Sequence, residues 1–189
     1  MNEILCFLYD GFADFETVLT CSALNEAEDY KVTYIAYEKT PVYSSGGLKI
    51  NPDKTVSEID GLKEIVGLII PGGGTRIFKP ELEKLIKKVN DEKKLVAAIC
   101  AGPEYLAKSG ILNGKKYTTS ADPQSYKEEK LEDPFPRDTY IETRIVQDGN
   151  IITAQGYAFT DFALKIWEYF DLYENEQEKE ELRKQLTPS

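Results

Sequence analysis

The sequence predicts an α/β domain built on a mostly parallel sheet, and three observations carry that prediction. Apolar runs of strand length recur along the chain, and each stops at a turn rich in Gly, Pro or Asp. The stretches between them carry helical spacing, so strands and helices alternate as they do around a parallel sheet. Two glycine-centred breaks, Gly46-Gly47 and Asp148-Gly149-Asn150, interrupt short β-rich segments and read as hairpins added to that alternation.

Residues 3–9 form the first apolar run and end at Asp10-Gly11, as a buried parallel strand would. Residues 14–28 read as a helix with Phe15, Val18, Leu19, Ser22, Ala23 and Ala27 near one face, followed by a second strand over 31–37. The segment from Pro41 to Pro52 is expected to be a hairpin beside the main sheet. Ile65 to Ile70 is a buried strand stopped by Pro71-Gly72-Gly73-Gly74. A helix follows from Pro80 to Asn90, apolar at Leu82, Leu85, Ile86 and Val89, with Pro80 suited to its first turn. Leu95 to Ile99 is the third core strand and runs straight into Cys100-Ala101-Gly102-Pro103, where a helix begins that ends near Ser109-Gly110. Residues 140–154 fold back on themselves at Asp148-Gly149-Asn150, and 159–172 form an amphipathic helix. The charged stretch from Tyr173 continues as a helix with few apolar anchors, so 1–172 is read as the domain and 173–189 as an extension.

A chain of 189 residues can bury one full core, and its 41% apolar content is too high for disorder. The net charge of -10 repels phosphate backbones and anionic membranes, which argues against nucleic acid as a partner. No apolar run approaches the ~18 residues of a membrane span, and the N-terminus lacks the pattern of a signal peptide, so the expected address is the cytoplasm. Three scattered cysteines do not make a disulfide framework or a zinc site. The absence of histidine excludes every Ser-His-Asp triad, Cys-His dyad and His-containing metal centre on this chain. No cofactor and no metal are expected.

Ligands of open parallel sheets gather beyond the carboxyl ends of the strands. Three such places are chemically notable here: Asp10-Gly11 with Asp14 and Glu16 just beyond, Pro71 to Gly74, and Cys100. Around Cys100 the small residues Ala98 and Gly102 stand two before and two after the thiol, the pattern of a nucleophile elbow in which a strained turn presents the side chain at a helix start. Amides there favour a thiolate, so an acidic thiol is expected. A buried small hydrophobe at a strand end is the alternative. Cys6 and Cys21 read as packing residues. The glycine run lacks the Lys-Ser/Thr of a P-loop; it is either a tight turn or, beside an elbow, one half of an oxyanion hole whose other half is the Ala101 amide. Glu16 is either a solvated helix carboxylate or a partner of Cys100.

Taken in order, Asp14-Phe15-Glu16-Thr17, Pro41-Val42, Pro52-Asp53, Ile70-Pro71-Gly72-Gly73, Ala97 to Pro103, Thr118-Thr119 and Asp148 to Thr153 resemble the ThiJ/PfpI superfamily over roughly residues 3–172. The resemblance implies a flavodoxin-like three-layer sandwich, a homodimer, Cys100 as an acidic nucleophile, Glu16 as a protonated hydrogen-bond donor to it, and Gly73 and Ala101 as oxyanion amides. One departure matters. Members commonly carry a histidine after the strand that follows the elbow helix, and here Thr118-Thr119 is followed by Ser120. Without that base, peptide and amide hydrolysis are discounted. Two readings remain. In one, Cys100 attacks a small electrophile such as a 2-oxoaldehyde, as in glyoxalase or deglycase chemistry, with Ser120, Tyr126 or water as second proton carrier. In the other, peroxide oxidises Cys100 to a sulfinate and the protein senses oxidative stress without catalysis.

Overall fold

The computed structural model describes residues 1–74 and 76–186; positions 187–189, the end of the predicted extension, lie outside the described residues. Four apolar runs form the parallel centre of the sheet: β1 (Asn2–Phe7), β2 (Tyr30–Ala36), β6 (Ile65–Ile70) and β7 (Leu95–Ile99). Every residue of β7 is buried, as a strand covered on both faces requires. The short β5 (Lys54–Thr55) extends one edge, and the hairpin of β8 (Ile145–Asp148) and β9 (Ile151–Ala154) completes the other. The order is β5-β2-β1-β6-β7-β9-β8, parallel throughout except for β8. A separate antiparallel ribbon, β3 (Val42–Tyr43) with β4 (Lys49–Ile50), is the hairpin expected around Gly46-Gly47.

Helices cover both faces, which makes the architecture the flavodoxin-like α/β sandwich expected. From β1 the chain crosses one way through α1 (Asp14–Glu26) to β2 and the other way through α2 (Pro80–Asp91) from β6 to β7. Right-handed crossovers in opposite directions put the two helices on opposite faces and open a crevice between the carboxyl ends of β1 and β6. On the α1 face lies α5 (Phe159–Tyr169), packed against α1; on the α2 face lies α3 (Pro103–Lys108). Two further helices are α4 (Pro123–Glu128), which the sequence reading did not anticipate, and α6 (Glu176–Leu186). The latter has no buried residue and is tied to α5 through Lys179–Glu168 at 3.0 Å. Among the described residues no helix is long and apolar enough to cross a membrane.

The face predicted for α1 is wrong. Phe15 and Val18 are 50% and 52% exposed, whereas Glu16, Thr17, Thr20, Cys21 and Leu24 are buried. The threonines tolerate burial because their hydroxyls donate back to carbonyls one turn earlier, Thr17 to Ala13 at 3.3 Å and Thr20 to Glu16 at 2.8 Å. The carbonyl of Thr20 in turn accepts the indole N–H of Trp167 from α5 at 2.9 Å. With that polar arc inward, Glu16 points into the protein and its apolar neighbours point out.

Candidate active site

The parallel register brings three strand ends together. Ile70 pairs with Ala98 and Ile99 with Ala154, so Gly72, Cys100 and Gln155 leave the sheet side by side. Cys100 has φ of 62°, a left-handed conformation that costs a non-glycine residue energy and is the mark of an elbow. Its N–H donates to Ala154 O at 2.9 Å, and its carbonyl accepts both Ser120 N–H at 2.9 Å and Thr119 Oγ1 at 2.8 Å. Gly102 sits where a Cβ would stand 2.6 Å from Ile70 O and 2.8 Å from Pro71 O, so the chain turns this tightly only with glycine.

Glu16 enters from α1. The start of that helix is bound to the glycine turn by Ala13 N–H to Gly72 O at 2.9 Å, and Gly72 N–H returns a bond to Glu16 Oε2 at 2.6 Å. Glu16 also hydrogen-bonds the Cys100 thiol and is 1% exposed. Gly72 and Gly156 close the walls: a Cβ on Gly72 would lie 2.5 Å from Cys100 Cβ, and one on Gly156 2.8 Å from Cys100 Sγ and 3.4 Å from Glu16 Oε1. Ala101 N–H reaches the sulfur, as does the Ser120 hydroxyl. Gly73 lies one residue beyond the glycine that touches Cys100, packed against Gly11 O and the Phe12 backbone.

Burial pushes Glu16 up to about 7, against the pull of the Gly72 amide and the thiol. Burial and the neighbouring Glu16 carboxylate push the Cys100 thiol up to about 11, while Ala101 N–H and Ser120 pull it down. The acidic thiol expected from the elbow is therefore not what this geometry produces. Burial of the sulfur is the first reason and the facing carboxylate, itself charged above about 7, the second, while α3 with its six residues is too short to offset them with much of a macrodipole. Above about pH 7 the carboxylate therefore faces a protonated thiol.

Tyr126 is engaged with a partner other than Cys100. Its hydroxyl donates to Glu104 Oε2 at 2.7 Å, in a buried cluster where Arg76 Nε also reaches Glu104 at 2.6 Å and Lys108 pairs with it at 2.5 Å. Arg76 further donates to Gly73 O at 2.7 Å and thereby ties the glycine turn to α3. Asp14 and Asp10 serve the β3–β4 ribbon, accepting Ser44 Oγ at 2.6 Å and Tyr43 N–H at 2.9 Å. Cys6 and Cys21 are buried in contact with each other, which together with burial pushes the Cys6 thiol up. The sequence reading placed the glycine run at the site but gave the role to Gly73 and none to Gly72, and it missed Gly156 and Gln155. The strand-end rule that located Cys100 also applies to the end of β9, where Gln155 and Gly156 follow directly.

An α/β sheet that carries a cysteine elbow at its switch-point edge, with a buried glutamate against the thiol, defines a class of thiol-bearing flavodoxin-like proteins. The chain belongs to the DJ-1/PfpI family, whose family model matches residues 2–169. A protein of Bacillus subtilis named as an uncharacterised protease is 30% identical over 177 residues, 90% of this chain and 84% of its own length. A deglycase of Thermococcus kodakarensis is 27% identical over 158 residues, covering 81% and 89% of the two chains. The crystal structure of a DJ-1 superfamily protein from Agrobacterium tumefaciens superposes with a TM-score of 0.82 at 31% identity, covering 97% of this chain and 96% of that one.

Proposed function

We propose that the protein is a cysteine-dependent enzyme acting on small reactive carbonyls, in the manner of a glyoxalase or deglycase. The observation that carries this reading is the hydrogen-bonded Glu16–Cys100 pair, in which the carboxyl ionises near neutrality and the thiol stays protonated. Glu16 is then a general base poised at the working pH. As the sulfur attacks the aldehyde carbon of a 2-oxoaldehyde, the thiol proton passes to Glu16, the C=O electron pair moves onto oxygen, and that oxygen takes the proton back to give a hemithioacetal. Glu16 next takes the hydrogen from C1, the C2 carbonyl becoming the enediolate oxygen, and returns it at C2 while the proton of the C1 hydroxyl passes to the C2 oxygen, leaving a thioester of the 2-hydroxy acid. Water cleaves the thioester and restores the thiol. Ala101 N–H, with Gly73, holds the oxyanion. No imidazole enters any step, so peptide and amide hydrolysis are not assigned to this chain.

The same proposal takes residues 1–172 as the catalytic domain, 173–189 as an extension, the cytoplasm as the site of action and a homodimer as the working form. Exposed Phe15 and Val18 on α1, with the Phe15 ring edge-on to Phe159 at 5.2 Å, present an apolar face suited to a second copy. A second reading, a redox sensor, is favoured by one feature: a Glu16 half protonated near pH 7 can donate a short hydrogen bond to a Cys100 sulfinate. The deciding experiment measures conversion of methylglyoxal to lactate by wild type and Cys100→Ala, alongside peptide hydrolysis. Turnover lost in Cys100→Ala supports the enzyme. No turnover, with clean arrest of Cys100 at the sulfinate under mild peroxide, replaces it with the sensor.

A further inference from the structure

Beside the thiol stands a polar pair to which the reaction above gives no role. Gln155 is buried at the end of β9, and its side-chain nitrogen faces three oxygens: Thr118 Oγ1 at 2.8 Å, Thr119 O at 2.8 Å and Tyr140 OH at 3.1 Å. The Thr119 carbonyl can only accept, so the NH2 end must face it and the amide cannot be turned over. Its Oε1 is thereby aimed at Ser120, which donates to it at 3.0 Å. Ser120 Oγ accepts Gly156 N–H at 2.9 Å, and Gly156 is the residue whose Cβ would crowd the sulfur. The hydroxyl thus has one proton and two places to put it, Gln155 Oε1 and Cys100 Sγ. Ser120, Gln155, Thr119 and Tyr140 also line a cavity of about 540 Å³ whose lining does not include Cys100, so the pair stands between the thiol and that space.

We propose that Ser120 is a hydroxyl rotor for the charged states of Cys100, and that Gln155 is the positioning residue that sets it. When the sulfur is a neutral thiol the hydroxyl donates to Gln155 Oε1. When sulfur or the adjoining oxygen becomes negative it turns and donates there. Ser120 gives a hydrogen bond and keeps its proton, so no base is needed and no proton is left over. A hydroxyl does not titrate in the range where an imidazole does, so this support for the anion is constant through neutrality. The inference rests on the reading of Cys100 as a nucleophile, but not on the identity of its substrate.

The test is the rate of Cys100 alkylation by iodoacetamide at pH 9 in the folded protein, followed by peptide mass spectrometry. Ser120→Ala is expected to slow it about tenfold, the effect of one hydrogen bond to a charged acceptor, and Ser120→Thr to restore it. Gln155→Leu removes the acceptor that competes with the sulfur for the Ser120 proton, so it is expected to speed alkylation when Ser120 is present and to change nothing in Ser120→Ala, a coupling that general loosening of the fold would not produce. An unchanged rate in Ser120→Ala, a Ser120→Thr as slow as Ser120→Ala, or a Gln155→Leu effect of equal size in both backgrounds overturns the proposal. Should Gln155→Leu not fold, the two Ser120 variants decide it alone. Alkylation requires no turnover, so a wild type inert toward methylglyoxal removes the enzyme reading and leaves this series legible.

Discussion

Replacing Glu16 by Gln should make Cys100 more reactive, not less. Cys100 is raised from an ordinary 9.0 to about 11, with burial the largest cause and the Glu16 charge the next. Gln keeps the shape and removes the charge, so the burial contribution remains while the carboxylate's repulsion disappears. A like charge in contact with a thiol raises it by about one pH unit, or ~1.4 kcal/mol. At pH 9 wild-type Glu16 is ionised, since its own midpoint is about 7, and both proteins lie below the thiol midpoint. The thiolate fraction, and with it the iodoacetamide rate, should then be about tenfold higher in Glu16→Gln. The assay is a rate profile from pH 5.5 to 10.5, in which the wild type alone should show an inflection near 7. A wild-type thiol midpoint below ~8.5 that rises in Glu16→Gln would refute the reasoning. It would mean that the carboxyl stays protonated and donates to the thiolate.

Three further outcomes follow from the same geometry. Glu16 carries a raised carboxyl in the folded state, so the folded protein holds a proton that the unfolded chain releases between about 4.5 and about 7; stability should fall across that window by up to about 3 kcal/mol and stay flat in Glu16→Gln, as urea unfolding at several pH values would record. The lowered carboxyls of Glu3 and Glu104 act in the opposite sense and below that window, so a stability rise from pH 5 to 7.5 would contradict the assignment. Gly156→Ala would put a Cβ 2.8 Å from Cys100 Sγ, and should abolish Cys100 labelling and lower Tm together; full labelling would show that the wall is soft. In the native wild type Cys100 should label ahead of Cys6 and Cys21, which are 0% and 1% exposed; equal labelling of all three would mean that the core opens on the assay timescale.

The strands were readable because burial on both faces leaves unbroken apolar runs: Ile65 to Ile70 and Leu95 to Ile99 occupy the residues expected of them. β5 was not readable, since two residues carry no periodicity. α4 had a usable signal, Asp122 accepting Gln124 N–H ahead of Pro123, but its six residues are too few for a helical pattern. The face of α1 was misread for a subtler reason. Hydropathy counts Thr17 and Thr20 as polar, although hydroxyls bonded to the preceding turn bury without leaving a donor unpaired. At the site, the small neighbours of Cys100 announced a strained turn, and the strain is there at φ of 62°. The thiol's proton affinity was not legible, because it depends on the distance and charge of Glu16, a residue 84 positions away in the chain.

The bond from Trp167 to the carbonyl of Thr20 makes the protein its own optical probe. The chain has one tryptophan, and its indole is fastened to the helix that carries Glu16, four residues along from it. Any ligand that draws that helix toward or away from the sheet must stretch or relax this bond and alter the polarity around the ring. Emission excited at the indole band should therefore follow occupancy of the thiol site in real time without a label. The same signal would give binding and chemistry separate time courses in a stopped-flow instrument.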